Sequence, residues 1–138
     1  MSKDWVKDIH EMHTKFGVRE AVQRLDDERL KRFLEFRLAF LKEELTEAYK
    51  AFEQGGAAQA EHVVDALIDL CVVAIGTLDA MQVDANLAWD RVLEKNLQKE
   101  VGIKPSRPNP LGLPDLIKPA GWTSPQHADN VGLLSKAL

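Results

Sequence analysis

The sequence predicts an all-α protein, an antiparallel helical bundle followed by a proline-rich C-terminal arm. Three observations carry this. All six prolines lie after residue 104, so residues 1–100 can form long uninterrupted helices and residues 103–138 mostly cannot. In the first hundred residues apolar positions recur at helical spacing. The connections between these helical stretches are about two to ten residues long, which places successive helices antiparallel.

Each element follows from periodicity and end signals. The first helix, about residues 3–15, sets Trp5, Val6, Ile9, Met12 and His13 on one side and ends near Gly17. The second opens at Asp26 or Asp27 as N-cap with acids in its first turn, where the helix dipole favours them. It carries Leu30, Phe33, Leu34, Leu38, Leu41, Leu45, Ala48 and Phe52 and stops at Gly55-Gly56. The third, about 58–81, lacks a wide polar face in its middle and is expected to be the buried one. The fourth starts with Asp84 as N-cap, presents Leu87, Val92, Leu93 and Leu97, and ends near Gly102. The bundle is thus expected over residues 1–102. Residues 103–138 keep Leu111, Leu113, Leu116, Ile117, Trp122, Val131, Leu133 and Leu134, too much apolar surface for a linker. They are expected to form an extended arm packed on the bundle or on a neighbouring subunit.

Composition excludes several classes of function. Eighteen Lys+Arg against 22 Asp+Glu leave a net charge of −4, which argues against general attraction to nucleic acid or to anionic lipid. The longest apolar run is interrupted by Asp69 and is too short for a membrane span, and the start, MSKDWVKDIHEMH, lacks the apolar core of a signal peptide. A cytoplasmic location is expected. Cys71 is the only cysteine, which rules out an internal disulfide and a zinc site built on several cysteines, and a buried thiol is expected there.

The chemistry is concentrated in HVVDALIDLCVVAIG, residues 62–76, where Asp65 and Asp69 interrupt an apolar helix. They differ by about 40° in helical phase and point the same way. An ionised carboxylate removed from water costs several kcal/mol unless it is compensated. The preceding helix carries KEELTEAY, with Glu43, Glu44 and Glu47 on one side. Antiparallel packing across the Gly55-Gly56 turn brings 65–69 opposite 43–47. Five carboxylates around one site can be neutralised in two ways: by ion pairs with Arg37, Arg91 or Lys95, or by a hard divalent cation such as Mg²⁺ or Mn²⁺, with only His62 as a nearby nitrogen donor. A ferritin-like di-iron site needs Glu-x-x-His, which does not occur, and the histidines of HEMH (10–13) are i,i+3 rather than the i,i+4 of a zinc-protease motif.

An EExxE helix followed by a paired acidic motif resembles the all-α nucleoside triphosphate pyrophosphohydrolases, the superfamily of MazG, the dimeric dUTPases and phosphoribosyl-ATP pyrophosphohydrolase. The likeness is greatest to small phosphoribosyl-ATP-pyrophosphohydrolase-like members. It rests on RLAFLKEELTE (37–47), DALIDLCVVAIGT (65–77) and NLQK (96–99), with HEMHTKFG (10–17) and KPAGWTSP (118–125) also similar to that subgroup. The resemblance implies a MazG-like bundle in which Glu44, Glu47 and Asp69 ligate Mg²⁺, and Glu43 is a ligand or the base that orients the attacking water. Many superfamily members carry E-x-x-D on the third helix; position 66 is Ala here, and Asp65 takes that acid's part.

The implied reaction is hydrolysis of a nucleoside triphosphate, a deoxynucleotide by expectation, to the monophosphate and pyrophosphate. Its alternatives are hydrolysis of phosphoribosyl-ATP, or a non-catalytic helical interaction protein whose acids form salt bridges. Arg37 lies almost two turns before Glu44 and can reach a phosphate or pair with that acid. Asn96 and Lys99 are implied substrate contacts, while His13, Phe16 and Trp122 are candidates for a base pocket. A homo-oligomer, dimer or dimer of dimers, is expected, because a single set of four helices leaves the apolar third helix partly uncovered.

Overall fold

The computed structural model describes residues 1–138. Helices α1 (Trp5–Lys15), α2 (Val18–Gln23), α3 (Asp27–Gln54) and α4 (Ala60–Ala80) are followed by α5 (Ala85–Leu97), a two-stranded hairpin of β1 (Glu100–Gly102) and β2 (Asp115–Ile117), and a terminal turn of helix, α6 (Leu134–Ala137). The chain divides into two compact units, residues 1–85 with 130–138, and residues 86–129.

The first unit is the all-α antiparallel bundle. Asp4 and Asp26 cap α1 and α3 by accepting hydrogen bonds from the Lys7 and Arg29 amides at 3.0 and 2.9 Å. Gly55 ends α3 at φ 68°, a conformation few other residues adopt cheaply, and the chain reverses into α4 through a short 3₁₀ turn, Ala57–Gln59. The core joins Val22, Leu30, Leu34, Ala80, Met81 and Ala137, so the last residues of the chain help to fill it.

Three local expectations are corrected. α2 was not anticipated, because six residues offer too few turns for a period to show. The third helix is not buried along its length: Val64, Leu67 and Ile68 are exposed, and burial is concentrated in its second half at Val73, Gly76, Thr77, Asp79 and Ala80. Besides α3, α1 and α2 also pack on α4. Cys71 is half-buried and lines an apolar groove with Trp5, Ile9, Ile68, Val72 and Ile75.

The second unit differs from the expected division at residue 102. The fourth helix ends at Leu97, and residues 118–129 return to it: the Trp122 indole N–H donates to the Lys95 carbonyl at 2.8 Å, and Arg91 forms a bidentate pair with Asp129 at 2.6 and 2.8 Å. The hairpin pairs Glu100 with Ile117 and Gly102 with Asp115. Residues 130–138 belong to the bundle, where Asn130 exchanges two hydrogen bonds with the Asp84 backbone at 2.9 and 2.8 Å.

Candidate active site

The α3–α4 hairpin positions the acids as the register of an antiparallel pair requires. Arg37 on α3 reaches Val73 and Thr77 on α4, and nearer the turn Glu47 and Asp65 line one polar cleft of about 380 Å³ with Lys50, Gln54, Gln59 and His62. Between these levels lies Glu44, buried at 8% exposure. Burial and the negative charges of Glu47, Asp69, Glu43 and Asp65 push its carboxyl above the ordinary range. The five acids therefore converge electrostatically on Glu44.

They stop short of a closed cage. No three His, Cys, Asp or Glu side chains stand at coordinating distance from a common point, as mutual repulsion of carboxylates dictates. Glu44 Oε2 is nonetheless buried without a hydrogen-bond partner, a costly state for a carboxylate oxygen. Glu43 and Asp65 are exposed, and Asp69 is half-buried. An orphaned oxygen surrounded by four more carboxylates fits a hard cation with oxygen ligands.

The ion-pair alternative fails on the same geometry. The Arg37 guanidinium donates from Nε to Thr77 Oγ1 and from Nη2 to the Val73 carbonyl, both at 3.0 Å, and forms no pair with Glu44. Burial alone lowers its pKa, since no carboxylate supports its charge. Arg91 is engaged with Asp129, and Lys95 donates to Thr123 at 3.1 Å.

A second constellation on α4 was not foreseen. Asp79, 6% exposed, accepts from Nδ1 of His10 and Nδ1 of His13, both at 2.9 Å, and from Arg19 Nη1 at 2.8 Å. Burial raises its pKa, but hydrogen bonds from His10 and His13 and the charge and hydrogen bond of Arg19 outweigh that, leaving it below the ordinary carboxylate range. The signal was present in the sequence: Asp79 is a third acid in the same apolar helix. His13 is buried in this network, whereas Phe16 faces solvent with Lys15 over its ring. The structure does not bring those two together in one pocket.

Asn96, Lys99 and Trp122 belong to the second unit. Lys99 and Lys118 place their ammonium groups 5.3 and 4.9 Å from the Trp122 ring centre, and Asn96 is exposed.

The profile of the family described as phosphoribosyl-ATP pyrophosphohydrolase matches residues 10–96, well over half of the chain, including the EExxE and DxxxD segments and the HxxH of α1. The chain belongs to the phosphoribosyl-ATP pyrophosphohydrolase family. It is accordingly a nucleotide pyrophosphohydrolase, a hydrolase acting on acid anhydrides, and the non-catalytic alternative is set aside. No curated protein matches it. No helix of this family member is long and apolar enough to cross a membrane.

Proposed function

We propose that this pyrophosphohydrolase is Mg²⁺-dependent and converts nucleoside triphosphates, deoxynucleotides foremost, to monophosphate and pyrophosphate. The observation that carries the cation is the unpartnered, buried Glu44 Oε2 amid Glu43, Glu47, Asp65 and Asp69. Glu44, Glu47, Asp65 and Asp69 would hold the ion, with Mn²⁺ as a substitute; bound there, it neutralises the polyphosphate oxygens. Glu43, exposed and adjacent, orients a water and takes its proton as the water oxygen attacks phosphorus and the phosphoanhydride bond breaks, releasing pyrophosphate. Arg37 keeps Nη1 without a partner in the chain and turns it to the substrate. Asn96 and Lys99 are proposed to contact substrate, as the family motif implies, and Trp122 is proposed to meet the base.

Hydrolysis of phosphoribosyl-ATP is the second reading, favoured by the family's own description. A panel of dNTPs, NTPs and phosphoribosyl-ATP, with and without Mg²⁺, read as phosphate after added inorganic pyrophosphatase, separates the two. Turnover confined to phosphoribosyl-ATP refutes the first, and turnover undiminished by chelation refutes the metal assignment. The working form is proposed to be a homo-oligomer in the cytoplasm, covering Val64, Leu67 and Ile68 of α4. Light scattering that reports a monomer at assay concentration would remove the oligomer.

A further inference from the structure

Gly76 is where the two constellations of α4 meet. A Cβ built on it would lie 2.6 Å from Arg37 Nη2, 3.1 Å from His13 Cε1 and 3.2 Å from His13 Nε2. The guanidinium and the edge of the imidazole thus close over a bare Cα from two sides. His13 has one hydrogen bond, from Nδ1 to Asp79, and its Nε2 has no partner in the chain. An ionised carboxylate only accepts, so both His10 and His13 donate Nδ1–H to Asp79, and in a neutral ring the lone pair is left on Nε2.

We infer that Asp79 is a positioning residue for substrate recognition: it fixes His13 with Nε2 as an acceptor beside the Arg37 donor, and this pair reads the nucleoside end of the substrate. This rests on the nucleotide reading above. Gly76 lies seven residues along α4 from Asp69, about 10 Å. A nucleotide whose phosphates sit at the acid cluster reaches that far with its sugar and base. The chemistry selected is a hydroxyl or amino hydrogen donated to His13 next to an oxygen facing Arg37. Arg19, which donates to both the carboxylate and the carbonyl of Asp79 at 2.8 and 2.9 Å, and His10 lock the carboxylate in place without reaching the notch themselves.

The substitution D79N keeps the shape while offering an amide N–H, which drives His13 to accept at Nδ1 and carry its proton on Nε2. The expected outcome is a KM about tenfold higher, the loss of one hydrogen bond, with kcat within about twofold. H13A should give a similar KM, and D79N should add nothing in the H13A background. An unchanged KM in D79N, or additive effects in the double variant, overturns the inference. Nitrogen NMR of the wild-type imidazoles tests it without turnover or a variant that must fold. The expected spectrum shows His13 protonated at Nδ1 only, with its Nε2 resonance shifted by a nucleoside monophosphate and not by inorganic pyrophosphate, both added without Mg²⁺. A proton on Nε2, or no shift with any of the common nucleoside monophosphates, refutes it. Absence of turnover on every nucleotide would instead sink the proposed function and leave the tautomer result standing.

Discussion

Glu44 on α3 and Asp79 on α4 are carboxylates of nearly equal burial, 8% and 6% exposed, and their surroundings are opposite. Asp79 is met by two imidazoles and a guanidinium, and its pKa is held down. Glu44 is met by four further carboxylates, has an oxygen with no partner, and its pKa is pushed up. The protein completes one of these acids from its own side chains and leaves the other with an unpartnered oxygen, which on the proposed reading a cation meets. Burial alone therefore does not distinguish the two acids; the sign of their neighbours does.

The contrast can be broken most directly through turnover. E44Q is expected to lower kcat by at least about 10²–10³-fold, the scale of losing a principal electrostatic contact, while D79N leaves kcat nearly intact. Steady-state pyrophosphate release measures both, and equal losses would erase the distinction. The two sites should then separate in the reverse order by stability. D79A strands Arg19 and two histidines around a void and is expected to cost roughly 2–4 kcal/mol in urea unfolding. Smaller is G76A, whose new methyl must displace Arg37 or His13, for roughly 1–3 kcal/mol and a raised KM. Smaller again, E44Q removes one of five like charges and should raise the melting temperature of chelator-treated protein by roughly 2–4 °C.

Acid sharpens the comparison further. Because Asp79 has a lower pKa in the folded chain than in the unfolded one, the unfolded state takes up its proton first and stability falls as the pH falls. The advantage of wild type over D79N is expected to be full above about pH 4 and to shrink as acidity increases through the folded pKa. Urea midpoints for both proteins between pH 3 and pH 7 test this.

Much of the bundle was legible because its signals are long. Twenty-eight residues of α3 between Asp26 and Gly55 repeat their apolar spacing many times, and the antiparallel register of the hairpin follows from one turn. Periodicity was silent on α2 and α6, with six and four residues, and on the three-residue strands of the hairpin, whose pairing depends on contacts distant in sequence. The same holds for the two clusters. Glu44 with Asp69 was legible because both lie on one hairpin with fixed spacing. Asp79 was visible as an acid in an apolar helix, but its partners His10, His13 and Arg19 come from 60 to 69 residues upstream, and no local pattern joins them. Cys71 and the first half of α4 were misjudged because apolar composition reports what prefers burial, not which neighbour is long enough to provide it.

The seat of the C-terminal segment bears on how the protein is made. Gly132, at φ 51°, lies against Met81 so closely that an added methyl would meet the Met81 carbonyl oxygen, while the Leu133 amide donates to that same oxygen at 2.7 Å and Ala137 fills the core at 1% exposure. A ribosome that has translated as far as α5 holds a cluster with one wall missing. Met81 and Leu34 stay uncovered until residues 130–138 have also been made and have cleared the exit tunnel, so the nascent chain is open to chaperones until then.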